Sequence, residues 1–290
     1  MIFNTITFEQ KDLVECVRRE YNNQLFAYAF CTLFLWKDIL KLSIYTESDF
    51  FVVKSNYSSD NTYFFPCGNE DKIRQFISLH MHEQDFTLRY ISEQNAAFLQ
   101  ENFKDVFELT SDRDSWEYIF SKKEHLELAG KKYARIRSER NHLRNTCNLY
   151  CQVINSFNIA DALAVIESWK ANRQKRFDEE FDDYQIALLA VNSMQELGLS
   201  GCIVYVDSLP SAVVIGNEIS SDTFGIQIAK TARPLAGLQY YALHSFFQML
   251  PDHYLYVNGD DDMGIEGIRK HKLKMQPYDM NRIWKGTMKP

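Results

Sequence analysis

From residue 159 onward the hydrophobic pattern switches between helical and alternating periods in an order that few architectures accommodate. Ile159 to Lys175 is amphipathic at helical spacing, with Leu163, Ile166 and Trp169 on one side and Lys170, Arg173 and Lys175 on the other. Phe181 to Leu197 reads as a second apolar helix, ended by Gly198, which tolerates the left-handed backbone a helix stop requires. Cys202 to Val206 and Ala212 to Ile219 form a strand pair around the turn Asp207-Ser208-Leu209-Pro210, and Thr223 to Ala229 supplies a third strand. Gly237 to Leu250 returns to helix and Tyr254 to Val257 to strand. Helix, helix, three antiparallel strands, helix, strand is not the strand–helix alternation of a doubly wound parallel sheet. It predicts an α+β (mixed α/β) unit whose mostly antiparallel mixed sheet is flanked by helices.

The preceding part of the chain alternates shorter elements. Phe8 to Tyr21 carries Leu13, Val17 and Tyr21 at helical spacing behind a Thr7 cap. Leu25 to Trp36 is the most apolar stretch, short of the ~20 residues needed to cross a bilayer, and so reads as a buried segment. Strands are expected at Lys41–Tyr45, Phe50–Val53, Tyr63–Pro66 and Thr87–Ile91, with helices at Asp71–His82 and Glu93–Phe103. Near Asp114 the character changes. Leu126 to Arg144 carries Lys131, Lys132, Arg135, Arg137, Arg140 and Arg144, either a solvated helix face or a basic connector that touches an anionic ligand. For 290 residues two domains are the better expectation, and the boundary falls in this stretch: residues 1–134 and 135–290.

Composition narrows the function. At 46% hydrophobic and 24% charged residues the chain is globular rather than disordered, and its 21 Phe and 16 Tyr read mainly as packing. A net charge of -7 argues against DNA or broad nucleic-acid binding, where phosphate neutralisation dominates. Met1-Ile2-Phe3-Asn4-Thr5 has no basic region ahead of an apolar run, so no secretory signal, no membrane span and a cytoplasmic location are expected. Cys147 and Cys151 stand four apart, on one face if helical, but no CxxC or His pair accompanies them; no metal is expected. His80-x-His82 is similarly thin.

The order of elements after residue 159 resembles an acyltransferase of the GNAT type, in which a strand feeds a turn whose backbone N–H groups, with the following helix N-terminus, hold a pyrophosphate. The corresponding segment runs from Ala229 to Gln239 and holds Arg233, Ala236, Gly237 and Leu238 as candidate cofactor-binding positions. Ala236 and Leu238 stand where small residues, preferably Gly, would be expected.

Downstream, Val257-Asn258-Gly259-Asp260-Asp261-Asp262-Met263-Gly264-Ile265-Glu266-Gly267-Ile268-Arg269-Lys270-His271-Lys272 and the later Pro277 form a second motif. Asp260 to Asp262 lacks the spacing and final Glu of an EF-hand loop; a solvated acidic turn capping the next helix is the plain alternative. The motif resembles the phosphatidylglycerol lysyltransferase C-terminal-like family, grouped with Fem-type aminoacyltransferases in a tandem GNAT arrangement. Phe26 to Trp36, Phe65-Pro66-x-Gly68, Asp114-x-Trp116-x-Tyr118 and the Gly130-to-Arg144 segment follow that family's order, so the resemblance covers nearly the whole chain.

The resemblance implies two tandem GNAT-like domains and a transferase acting on an amine or hydroxyl acceptor. Acyl-coenzyme A or aminoacyl-tRNA would be the donor, with no tightly bound cofactor. It singles out Asp262 and Lys272 as catalytic and Asn258, Asp261 and Arg269 as substrate-binding. A fixed cation at Lys272 would stabilise an oxyanion, Asp262 would position or deprotonate the acceptor amine, and Arg269 would clamp a phosphate bidentately. A structural salt bridge from Arg269 and Lys272 to the Asp cluster is the alternative. The acceptor would be a small-molecule or peptide amine, with tRNA contact through Lys131–Arg144. A catalytically silent module binding a nucleotide-containing or aminoacyl ligand between the domains is the competing reading, and a purely structural partner protein a third.

Overall fold

The computed structural model describes residues 1–57, 61–172 and 183–289. In chain order the first elements are β1 (Asn4–Thr5), α1 (Lys11–Glu20), α2 (Phe30–Trp36), β2 (Leu42–Glu47), β3 (Phe50–Ser55), β4 (Thr62–Phe64), β5 (Cys67–Gly68), α3 (Glu70–His80), β6 (Thr87–Ile91), α4 (Glu93–Asn102) and β7 (Phe107–Ser111). There follow β8 (Glu117–Ser121), α5 (Lys122–Glu127), α6 (Ala134–Thr146), β9 (Leu149–Val153), α7 (Ile159–Asn172), α8 (Tyr184–Asn192), α9 (Met194–Leu197), β10 (Ser200–Val206), β11 (Leu209–Glu218), β12 (Thr223–Thr231), α10 (Leu238–Met249) and β13 (Tyr256–Asn258). The chain ends with α11 (Glu266–Lys274), β14 (Asp279–Asn281) and β15 (Trp284–Met288). Packing divides these into two units, Met1–Tyr118 with Asp260–Arg269 and Asp279–Pro290, and Ile119–Gly259 with Lys270–Tyr278.

In the first unit every residue from Phe50 to Val53 is buried, which a strand achieves only when both faces of its sheet are covered. The sheet runs β1-β2-β3-β4-β6-β15-β7, with β5 also on β3. Phe50, Val52, Tyr63 and Leu88 form one core with Phe76 and Ile77 of α3 and Leu99 of α4. On the opposite parity, Phe51 meets the ring of Tyr28 from the buried segment ahead of α2. Most pairings are antiparallel, but β4 and β6 run parallel, Thr62 beside Thr87 and Phe64 beside Arg89.

The second unit contains the expected order: α7 and α8, the antiparallel strands β10, β11 and β12, then α10 and β13, which pairs parallel to β12. β8 joins β13 and β9 joins β10 at the two sides. Ile203, Val204, Val213, Val214 and Ile215 are all buried, and α7 and α10 both pack on β11. Both sheets are mixed, mostly antiparallel and flanked by helices, the α+β class the sequence implied.

Several local expectations need correction. Cys147 ends α6 and Cys151 lies in β9, so the two are not on one helix face; a strand forms here because its backbone pairs with β10. His80 closes α3, in the helix expected at Asp71–His82, and its Nδ1 is 2.6 Å from a Glu83 carboxylate oxygen. The apolar stretch before Gly198 is two helices, α8 and α9, with Ser193 between them. The expected helix ends at 173–175 and 181–182 lie outside the described residues.

Candidate functional site

Within the first unit, the chain from Asp260 to Ile265 makes a tight turn that uses left-handed backbone at Asp260, Met263 and Gly264, with φ of 63°, 51° and 72°. Asp and Asn-like side chains support such turns by accepting nearby N–H groups. Here Asp261 Oδ1 accepts from Met263 N at 2.9 Å and Asp262 Oδ1 from Gly264 N at 3.0 Å. Position 264 must be glycine for a second reason: a Cβ there would stand 2.8 Å from Asp114 Oδ2. The turn holds the Asp262 side chain inward, where it is fully buried.

Buried carboxylates require partners, and Asp262 has five. Oδ2 accepts from the Tyr118 hydroxyl at 2.5 Å, Arg269 Nε at 2.9 Å and Arg113 Nη1 at 3.2 Å. Oδ1 takes Arg269 Nη2 at 2.7 Å in addition to Gly264 N. The Arg269 grip is therefore two-pronged, and its Nη2 also reaches Asp114 Oδ1 at 2.6 Å. Arg113 Nη2 donates to the Tyr118 oxygen at 2.8 Å, which orients that hydroxyl toward Asp262. Burial alone would raise the Asp262 carboxyl, but the hydrogen bonds from Arg269 and Tyr118 hold it below the ordinary carboxylate value. The same bonds to Asp262 and Asp114 raise Arg269 further above an already permanent charge.

Chemically, this carboxylate spends its acceptor capacity on fixed donors and stays ionised. It holds Arg269 by one edge. Arg269 remains 30% exposed, and its Nη1 has no partner among the described residues. Such a guanidinium is pre-set to receive a phosphate or carboxylate.

Sequence reasoning found Asp262 and Arg269 but not Arg113, Asp114 and Tyr118 as their partners. The spacing Asp114-x-Trp116-x-Tyr118 was the available signal. Each of the three reaches the C-terminal segments of the unit: Asp114 through Arg269, Trp116 through a 3.3 Å bond from Nε1 to the Ile283 carbonyl, and Tyr118 through Asp262. The two remaining candidates of the motif lie in the second unit. Asn258 is fully buried at the end of β13, paired with Ile119 of β8. Lys272 Nζ donates to the Gly259 carbonyl at 2.6 Å.

Residues 18–284 match the family described as phosphatidylglycerol lysyltransferase, C-terminal. The chain belongs to that family. Among solved structures, a conserved protein of unknown function from Bacteroides thetaiotaomicron is 26% identical, covers all of both chains and superposes with a TM-score of 0.90. The L-PGS of Bacillus licheniformis is 14% identical over 99% of this chain and 93% of its own, with a TM-score of 0.66, and shares the fold. No curated protein matches. Among the described residues no helix of this family member is long and apolar enough to cross a membrane.

In this member of the phosphatidylglycerol lysyltransferase C-terminal family the candidate cofactor loop of the second unit is drawn in on itself. Leu235 N donates to the Arg233 carbonyl at 2.9 Å and Leu238 N to the Leu235 carbonyl at 3.1 Å. Gly237 starts α10 with φ of 83°, and a Cβ there would lie 2.3 Å from the Glu139 carbonyl oxygen of α6. Arg233 Nη2 is 3.4 Å from Ser211 Oγ, Ala236 is exposed and Leu238 is buried. The basic stretch from Lys131 to Arg144 is partly occupied internally. Lys132 pairs with Glu124 at 2.9 Å, Arg135 with Glu139 at 2.7 Å, and Arg137 donates to the Leu128 and Gly130 carbonyls. Arg140 keeps Nε and Nη1 buried without a partner among the described residues, and burial lowers its pKa.

Proposed function

We propose that this chain transfers an aminoacyl group from an aminoacyl-tRNA donor to an amine or hydroxyl acceptor, with Arg269 receiving a phosphate of one substrate. The observation that carries the reading is the Asp262-held guanidinium of Arg269, one edge pinned in a buried two-pronged bond and Nη1 open. Family membership supports transferase chemistry in general. The preference for an ester donor over coenzyme A draws on the Arg233-to-Leu238 loop, which uses N–H groups internally that a pyrophosphate cradle would present outward.

In such a transfer the acceptor nitrogen or oxygen attacks the ester carbonyl, an oxyanion forms, and the ribose oxygen leaves with a proton. Lys272, aimed by its bond to Gly259, is the candidate for stabilising that oxyanion. On this reading Asp262 is a positioning residue rather than the base, because its oxygens already accept five bonds. Asp261 shapes the turn that carries it. A silent binding module is the second reading, favoured by that engagement of the one buried carboxylate of the motif.

Thermal-shift titration with bulk aminoacyl-tRNA, deacylated tRNA, acetyl-coenzyme A and coenzyme A separates these. A ligand that binds only the folded state at a hundredfold excess over its dissociation constant adds ~2.7 kcal/mol. A shift with aminoacyl-tRNA that Arg269→Ala removes is the expected result. A shift with coenzyme A forms instead overturns the donor assignment, and a shift without turnover on any acceptor favours the binding module.

A further inference from the structure

A second feature of the first unit lies on the opposite face of its sheet from the α3 and α4 core. Strand alternation places Tyr63, Leu88 and Ile91 in that core, with Trp284 packed against it. Thr62, Phe64, Thr87, Arg89 and Lys285 have the other parity, and all five line a cavity of about 360 Å³. That volume suits a small ligand rather than a few waters.

The alternation breaks at one residue. Trp284 pairs with Ile91 and Gly286 with Leu88, so two residues of β6, Arg89 and Tyr90, stand opposite the single residue Lys285 of β15. This is a bulge, a device that re-aims side chains beside functional sites. Tyr90 takes φ of 53° there, a costly conformation for a bulky aromatic residue in a central strand. Its effect is to add Tyr90 to the cavity wall, its ring 4.4 Å from that of Phe64. All three residues of the bulge line the cavity.

The polar groups there are unevenly satisfied. Arg89 uses Nη2 on Asp112 Oδ2 at 2.8 Å and Ser115 Oγ at 2.9 Å. Lys285 is half-buried and its ammonium has no hydrogen-bond or ion-pair partner among the described residues. Burial pushes the Tyr90 phenol well up, so it remains a donor. The lining carries two cations, Arg89 and Lys285, and one carboxylate, Asp112, beside three aromatic rings, Tyr57, Phe64 and Tyr90, and Asp260 and Asp261 act on it from nearby.

We propose that this bulged cavity binds a small monocarboxylate with a flat apolar body, its carboxylate on Lys285 and Arg89 and its body against Phe64 and Tyr90. A monoanion can be received by Lys285 and Arg89, whereas a dianion would meet the carboxylates of Asp112, Asp260 and Asp261 that also act on this wall. The inference does not depend on the transfer reading, and none of the cavity residues is a candidate for that chemistry.

The test is ligand-observed NMR and calorimetric titration of the full chain with 3-phenylpropionate, its neutral amide and inorganic phosphate, in the absence of any donor. The carboxylate is expected to bind about tenfold or more tighter than the amide, from the charge-assisted bonds it alone can make. Lys285→Met should remove that preference while leaving amide binding unchanged. Tyr90→Gly, which suits the left-handed backbone but gives up the ring packed on Phe64, should lose affinity for both, with its fold confirmed by circular dichroism. Equal binding of acid and amide, an unchanged Lys285→Met, or displacement of the carboxylate by equimolar phosphate each overturns the proposal.

Discussion

Replacing Asp262 by Asn keeps the shape of the side chain and removes its charge, which isolates what the buried carboxylate contributes. The retained oxygen can still accept Gly264 N and Arg269 Nη2, but an amide nitrogen in place of Oδ2 would face Tyr118, Arg113 Nη1 and Arg269 Nε, all donors. Breaking a buried charge pair by removing one partner costs about 3–5 kcal/mol. Arg113 and Arg269 are 31% and 30% exposed and Arg269 keeps Asp114, so water and that pair return part of it. The net loss should be about 2–3 kcal/mol at pH 7.

Urea unfolding followed by tryptophan fluorescence gives the number, and repeating it in acid gives the cause. The folded Asp262 titrates below its unfolded value, so the unfolded chain takes up the proton first. The carboxylate's contribution is complete above the unfolded value of about 3.9 and disappears as pH falls through the folded one. The gap between parent and Asp262→Asn should therefore be constant from pH 7 to about 5 and narrow below about 4. A loss under about 0.5 kcal/mol at pH 7, the level of an ordinary surface change, or a gap indifferent to acid would refute the reasoning.

Further outcomes follow from other residues. His125 is buried among Phe120, Tyr133 and Phe247, its Nε2 has no partner among the described residues, and burial pushes its pKa down from 6.5 to about 4. The unfolded chain protonates first, so stability present above pH 6.5 should fall toward pH 4 by about 3 kcal/mol; His125→Phe should remove that slope in denaturation at pH 7 and pH 4.5. Gly264→Ala should cost about 1–2 kcal/mol in the same assay, from left-handed backbone and the contact with Asp114. Arg269→Lys, which keeps charge but not the two-pronged bond, should cost about 1 kcal/mol or more in stability and abolish the aminoacyl-tRNA thermal shift.

What the sequence made legible depended on how local its causes are. The β10–β11 hairpin could be placed from two continuous apolar runs around a turn signal; the turn itself is shorter than expected, Asp207 and Ser208 alone in left-handed backbone at φ of 51° and 69°, with Leu209 and Pro210 already paired in β11. Thr87–Ile91 was recognisable as a strand, but its bulge was not, because nothing in Arg89-Tyr90 announces that a distant Lys285 will stand opposite both. Asp262 and Arg269 lie within one motif and were found together. Their partners Arg113, Asp114 and Tyr118 are some 150 positions earlier, brought in by the exchange of segments between N- and C-terminal parts of one unit. β9, Leu-Tyr-Cys-Gln-Val, is mostly exposed despite its apolar residues, and it exists because the β10 edge pairs with it rather than through a buried face of its own.

The place of β15 between β6 and β7 has a consequence for synthesis on the ribosome. Residues 107–111 emerge long before residues 284–288, and at 5–20 residues per second the interval is roughly 10–35 s. During it the sheet of the first unit has a missing middle strand, with β6 and β7 each offering an open edge beside a phenylalanine-rich core. The strands of the second unit from β9 to β13 are complete by residue 258 and need no later segment to pair with one another. The nascent chain can thus pair β9 to β13 of its second sheet well before the first sheet closes, and its N-terminal half is the client a cotranslational chaperone would have to shield until the last strand arrives.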